Sequence, residues 1–316
     1  MCRFLFGVAD DQNRNTPCID YKRTHHAGYY ETRFLGNDSC IPTQGGFVET
    51  TDGQWFFIGQ KDEGTPAGRQ ARLVPVVWKE DWPVIGVDSD GDGVADRPFM
   101  EGSKSVCAWK NREVQGSDHF ADGKLSINWQ WNHQPREGYW SVTERVGYLR
   151  LRAFHTADRT HDFWKAGNTI HQRFLDLGEI EITVKMDVSG MADGQEAGIV
   201  HFNGGISYAT FGIFQEGGGR RFLYTENGSS LSEGMLPVGM EEVWLRTQVR
   251  GYLADFQYSY DGIHFQKTDQ IYPICWGSYR GDRIGIYTFN NTADEGFVDV
   301  DYFDYNYTGS ISRWTE

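Results

Sequence analysis

Basic residues are in short supply. The 316-residue sequence carries 30 Lys and Arg against 44 Asp and Glu, a net charge of −14. Neutralising phosphates takes surplus cations, so the balance argues against a nucleic-acid partner. Long apolar runs are missing too. No stretch approaches the ~20 consecutive apolar residues of a bilayer-crossing helix, so no membrane partner is expected. The start, MCRFLFGVADD, meets acid after only a few apolar residues and does not read as a signal peptide. Cysteine is sparse: Cys2, Cys18, Cys40, Cys107 and Cys275 are far apart, odd in number and without a C-x-x-C. That argues against a disulfide framework or a structural zinc site, with a pair among Cys2, Cys18 and Cys40 left open. No helical period persists for three turns; a single short helix is placed near Met240–Val243. H-E-x-x-H, a G-x-S-x-G elbow and a phosphate-cradling loop are all lacking. Gly217-Gly218-Gly219 precedes Arg220-Arg221, but it joins two strands rather than opening a helix.

Aromatic residues and glycine are plentiful: 11 Trp, 16 Tyr, 20 Phe and 38 Gly. The first three supply a sizeable core, and the glycines suit a chain that turns often. Nearly every segment reads as strand plus turn. Thr51-Asp52-Gly53 is a turn signal before the strand Gln54–Ile58. Tyr148–Arg152 and Glu179–Met186 alternate apolar and polar residues as half-buried strands do. Phe256–Tyr260, Asp261-Gly262 and Ile263–Phe265 read as a hairpin. Polar, unpatterned composition over 101–116 reads as a linker. It separates a first unit, 1–100, from a second with many short strands at 117–310 and a tail at 311–316. Strand spacing in the second suggests a sandwich or barrel. The first, with few strands and no closure, calls for packing against something else.

Three clusters bear on chemistry. Asp88, Asp90, Asp92 and Asp96 stand at positions 1, 3, 5 and 9 of an acidic loop with Gly93 at position 6. Oxygen ligands wrap calcium in that order, though position 12 is Phe99 where an EF-hand has Glu. A solvated acidic turn is the alternative; mutual repulsion of four carboxylates favours a counter-ion. Trp129-Gln130-Trp131-Asn132-His133 with Tyr139-Trp140 would suit stacking on sugar rings. Core packing is the alternative, favoured for Trp129 and Trp131 and open for His133 and Tyr139. Glu179 and Glu181 share one strand face, as an acid and nucleophile of a glycosidase would. The plainer reading, the polar face of an amphipathic strand, is preferred.

The run Gln44–Trp55, followed by Ala67-Gly68-Arg69, Leu73–Trp78 and Asp81–Gly86, resembles the last propeller blade of glycoside hydrolase family 43. That family includes β-xylosidases and α-L-arabinofuranosidases. Asp118-His119-Phe120, Trp129–Pro135, Thr143-Glu144-Arg145, Glu196-Ala197-Gly198 and Asp299–Phe303 resemble the C-terminal β-sandwich of the same enzymes. The sandwich is similar to carbohydrate-binding module family 91, a xylan-associated module. The resemblance implies an all-β chain: a partial five-bladed-propeller-like unit followed by a concanavalin-like jelly-roll β-sandwich. It also implies xylan or xylo-oligosaccharide as partner.

Family members carry their base, modulating Asp and acid in the first three blades, whereas this chain resembles the family from inside the fourth. No E-G-P acid motif or early D-P base motif is found, so no catalytic residue is assigned. Carried over by resemblance, Arg69 matches the Arg that contacts the sugar, and Gln44 lies in a motif that often reads H-Q-G-G, here with Thr43 in place of His. Trp276 is the sandwich aromatic that the resemblance would lend to a sugar pocket, or else an ordinary loop Trp. Asp118 and Asp301 stand where jelly-roll modules often hold structural calcium, or else cap turns. Hydrolysis by this chain alone is expected to be weak or absent. Exposed blade edges suggest a homodimer, or association with a missing N-terminal propeller half.

Overall fold

The computed structural model describes residues 43–62, 66–86, 115–156, 162–174, 178–277 and 280–308. The chain divides into two compact units. One comprises residues 1–64 and 69–111, the other residues 65–68 and 112–316.

Within the first unit, β1 (Thr43–Glu49), β2 (Trp55–Asp62), β3 (Arg69–Lys79) and β4 (Trp82–Ile85) form one antiparallel sheet in sequence order. Such a four-stranded meander is the unit from which propeller blades are built. The turn before β2 forms where Asp-Gly chemistry foretold it. Gly53 adopts φ +81°, and its N–H donates to the Thr50 carbonyl at 2.9 Å. Period-two alternation sorts the side chains. Phe57, Val74 and Val76 are buried on one face, where Phe47 and Trp78 pack with ring centroids 5.7 Å apart. Val48, Ile58, Leu73 and Val77 stand on the other face and are exposed.

The second unit is a sandwich of two seven-stranded antiparallel sheets. The first sheet runs β13 (Ser229–Met235), β12 (Gly219–Glu226), β11 (Tyr208–Glu216), β10 (Gln195–Phe202), β17 (Arg283–Asn290), β8 (Asn168–Arg173), β5 (Gln130–Trp131). The second runs β16 (Gln266–Pro273), β15 (Leu253–Ser259), β14 (Glu242–Arg250), β9 (Ile180–Asp187), β18 (Phe297–Tyr307), β7 (Leu149–Arg152), β6 (Trp140–Ser141). Their inner faces share one core. Ile199, Phe211 and Ile286 from the first sheet join Val184, Leu245 and Phe303 from the second, all fully buried. Trp129 belongs to this core, with Trp131 packed against it, as strand periodicity predicted.

Two local expectations are corrected. Met240–Val243 is not helical; residue 242 begins β14. Val243, Leu245, Thr247 and Val249 all turn inward, a period of two that overrides any helical preference of the preceding glutamates. Ile263–Phe265 is not the return strand of its hairpin, which starts at Gln266. The Asp261 side chain accepts from the N–H groups of Ile263 and His264, both at 2.8 Å, and holds these residues in the turn.

A bulge sets the faces of β18. Val300 pairs with Met186 and Tyr302 with Lys185, leaving Asp301 unpaired in the ladder. The extra residue lets Val300 and Phe303, three positions apart, both face the core.

Candidate functional site

The outer face of the first sheet is unusually built. Gly198 and Gly212 lie directly opposite each other on β10 and β11, and Tyr287 of β17 is the cross-strand partner of Gly198. The Tyr287 phenol reaches a side chain of the neighbouring β10. Its hydroxyl donates to Glu196 at 2.5 Å. Burial, then the Glu196 charge, pushes this phenol well above its ordinary pKa.

A short 3₁₀ turn, Phe163–Lys165, packs on the same face. Phe163 contacts Phe202, Tyr208 and Tyr287, with ring centroids 5.1–5.8 Å apart, closing a second apolar cluster. Asp162 caps the turn by accepting from Trp164 N at 3.0 Å.

Toward β8 the face becomes cationic. Arg173 of β8 and Arg283 of β17 are direct cross-strand partners, and His171 is paired with Gly285 two residues along, on the same face. A Cβ at residue 285 would come within 2.6 Å of the His171 Cβ. Glycine therefore lets β8 and β17 approach closely at this point. The His171 ring stands edge-on to Phe202 at 5.0 Å. Arg280 lies over that phenyl ring at 6.0 Å and donates to Asn132 at 3.3 Å.

Both nitrogens of the fully buried His171 lack hydrogen-bond partners, as do Nε of Arg173 and Nε of Arg283. Each unmade bond costs about 1–3 kcal/mol. Burial, reinforced by Arg283 and Arg280, drives His171 down to about 3. Burial, then Arg173 and Arg280, lowers Arg283 to about 10.

A further polar group lies between the sheets. His201 Nδ1 is 2.9 Å from Asp282 Oδ2, and its Nε2 is 2.9 Å from Thr247 Oγ1. The three residues have the order of a hydrolytic triad but no exposed surface, so they hold the core together rather than meet substrate. Burial raises the Asp282 carboxyl above its usual range, with His201 opposing.

The residues singled out from sequence fall in different places. Arg69 and Gln44 are brought together, Arg69 Nη1 donating to Gln44 Oε1 at 2.9 Å, with Gln60 donating to the same oxygen. Gln44 sits at a bulge with φ +49°. Trp276, in the second unit, lies between β16 and β17 and is 40% exposed. His133 Nε2 meets the Trp164 carbonyl at 2.9 Å and so braces the 3₁₀ turn. Tyr139 donates to Asp294 at 3.2 Å. The same Asp294 accepts from Arg136 at 3.3 Å and from the His155 side chain.

Asp118 accepts from Trp129 Nε1 at 2.8 Å and Phe120 N at 2.9 Å. Asp301 is paired with Lys185 at 2.9 Å. Among the described residues no three His, Cys, Asp or Glu side chains converge. Asp88, Asp90, Asp92 and Asp96 lie outside the described residues. Glu179 and Glu181 face Arg250 at 3.2 Å and Gln248 at 2.5 Å, as the amphipathic-strand reading requires.

The cationic group and the His201–Asp282–Thr247 set were missed in the sequence because they join strands far apart in the chain. Only Arg283-Ile284-Gly285, apolar residue and glycine after a charge, offered a local signal.

Comparison with known proteins bears on the sandwich first. A family model described as the β-xylosidase C-terminal concanavalin A-like domain matches residues 117–306. The chain belongs to that family, within glycoside hydrolase family 43. A β-xylosidase of Formosa agariphila is 32% identical over 328 residues, covering 96% of this chain and 55% of that protein. A bifunctional GH43-CE protein of Bacteroides eggerthii superposes with TM-score 0.67 at 28% identity, covering 85% of this chain and 34% of the other. A GH43 protein of Bacillus licheniformis shares the fold with TM-score 0.69 at 24% identity, over 89% of this chain and 57% of its own. The chain thus spans about half the length of the curated relatives it matches. The expected family and the all-β sandwich class hold.

Proposed function

We propose that this chain serves xylan or arabinoxylan breakdown by binding xylo-oligosaccharides, with weak or no hydrolysis of its own. The observation that carries the reading is the commitment of the sandwich carboxylates to structural partners. Asp187 and Asp299 bind Arg145 at 2.6 and 3.0 Å, Glu181 holds Gln248, and Glu196 holds Tyr287. Inverting hydrolysis needs an acid and a base about 6.5–9.5 Å apart across a sugar, with room for water between them. Among the described residues, these acids are occupied in ladders and caps instead. Likeness to β-xylosidases supports the choice of a pentose polymer.

Titration calorimetry with xylohexaose, beside hydrolysis of p-nitrophenyl xyloside and arabinoside, tests the reading. Binding with negligible turnover is expected. Turnover that survives purification to homogeneity and falls in Arg69→Ala would overturn it.

A second reading, an active β-xylosidase or arabinofuranosidase completed by association, is favoured by one observation. Val48, Ile58, Leu73 and Val77 give the first unit's sheet an exposed apolar row of the kind that partners cover. A single monomeric, inactive peak in light scattering would remove it. Calcium in the loop carrying Asp88, Asp90, Asp92 and Asp96 is also proposed, on the spacing of its carboxylates. Chelator should then lower the melting temperature, and an unchanged melt would dismiss the ion.

A further inference from the structure

Like charges placed directly opposite on neighbouring strands repel, and sheets ordinarily avoid them. Arg173 and Arg283 are placed so on β8 and β17. Arg283 is 7% exposed and His171 fully buried. Nη1 of Arg283 donates to the backbone carbonyls of Arg280 and Asp282 at 2.5 and 2.9 Å, yet Nε of each arginine and both imidazole nitrogens have no partner. Arg280 adds a third guanidinium from the segment before β17, its described polar partner being the neutral Asn132. The acid next to Arg283 in the chain, Asp282, turns to the inner side and binds His201. Guanidinium forks match planar or tetrahedral oxyanions, and a positioned imidazole can donate beside them.

We propose that Arg173, Arg283, Arg280 and His171 form a binding site for an oxyanion carried on a saccharide, either the carboxylate of a uronic acid or a sulfate ester. The inference deepens the carbohydrate-binding reading and rests on it for the word saccharide. The anion site itself stands on the arginine and histidine geometry. The ligand it selects is an acidic, substituted oligosaccharide rather than a plain neutral chain. Bound there, the oxyanion separates the two opposed guanidinium charges and gives the orphaned donors an acceptor.

The test uses the full chain in scanning fluorimetry and calorimetry, with sodium glucuronate, sodium sulfate and xylose as probes. Sodium chloride holds the ionic strength constant. At ten times its dissociation constant, a bound anion should raise the melting temperature by about 3–5 °C. Xylose should give no shift through this site. A response to glucuronate alone identifies the carboxylate source, a response to sulfate alone the ester, and a response to both the shared oxyanion chemistry.

Arg173→Gln should weaken anion binding at least tenfold and, without anion, melt no lower than the parent, because it removes a repulsion. The exposed Arg280→Gln provides the same binding readout where folding is not at stake. No shift with either anion beyond the chloride control, or equal shifts in parent and both variants, overturns the proposal. So does a large fall in the anion-free melting temperature of Arg173→Gln, which would mark a guanidinium already paired within the protein. Absence of xylohexaose binding alongside intact anion binding would sink the preceding reading and leave the anion site standing.

Discussion

His171 holds its neutral form at a pH where an exposed histidine would be charged. Its ordinary value near 6.5 falls to about 3 in the folded chain, through burial and then through Arg283 and Arg280. The unfolded chain therefore takes up a proton that the folded chain refuses. Stability from this group is fully present above pH 6.5 and drains away as pH falls toward 3. Between pH 7 and pH 5 the loss is about 2 kcal/mol. In anion-free buffer, chemical denaturation of His171→Gln should show a flatter profile over that interval than the parent; parallel profiles would contradict the assignment. Asp282 presents the opposite case, a carboxyl that burial raises and His201 partly restores. Asp282→Ala leaves His201 buried without its partner and should cost about 3–5 kcal/mol. Thr247→Val removes one neutral hydrogen bond and should cost about 1 kcal/mol. Equal midpoints in urea for the two variants would contradict the ranking.

Strands were legible wherever one face met water. Tyr148–Arg152 and Glu179–Met186 announced β7 and β9 because charge alternates with aliphatic side chains there. β10 and β17, buried along their whole length, show no such alternation, and so the arrangement of their outer residues could not be read. Ion pairs along the outer face of the second sheet differ in weight for a related reason. Asp299 is 2% exposed and takes two hydrogen bonds from Arg150, both at 2.7 Å, while Glu179 lies open to solvent with Arg250 at 3.2 Å. Phe297 stacks beneath the Arg150 guanidinium at 4.0 Å and shields it. Asp299→Ala should therefore destabilise by about 3 kcal/mol, and Glu179→Ala by less than about 1 kcal/mol. Urea midpoints of the two variants decide, and a shift in Glu179→Ala as large as in Asp299→Ala would deny the difference in burial.

At the scale of the whole molecule, fold class was open to inspection, and the site was not. Turn chemistry at Gly53 and Asp261, together with local alternation, defines strands one at a time. The cationic group exists only because β8 and β17, more than a hundred residues apart, lie side by side. Gln44 and Arg69 were found by resemblance, and their hydrogen bond depends on β1 and β3 both flanking β2. Shortening the chain so that it ends before Phe297 should yield insoluble protein, whereas removing only the residues after Thr308 should leave the sandwich soluble. Recovery in the soluble fraction checks both.

β18 lies between β9 and β7. While a ribosome is still making residues 297–307, β6 and β7 are stranded from the four strands on the far side of β18, and two raw borders wait in the nascent polypeptide. Synthesis of this unit is thus nearly finished before its architecture can close, and any chaperone that guards it must stay until the last hydrogen-bonded seam is sewn.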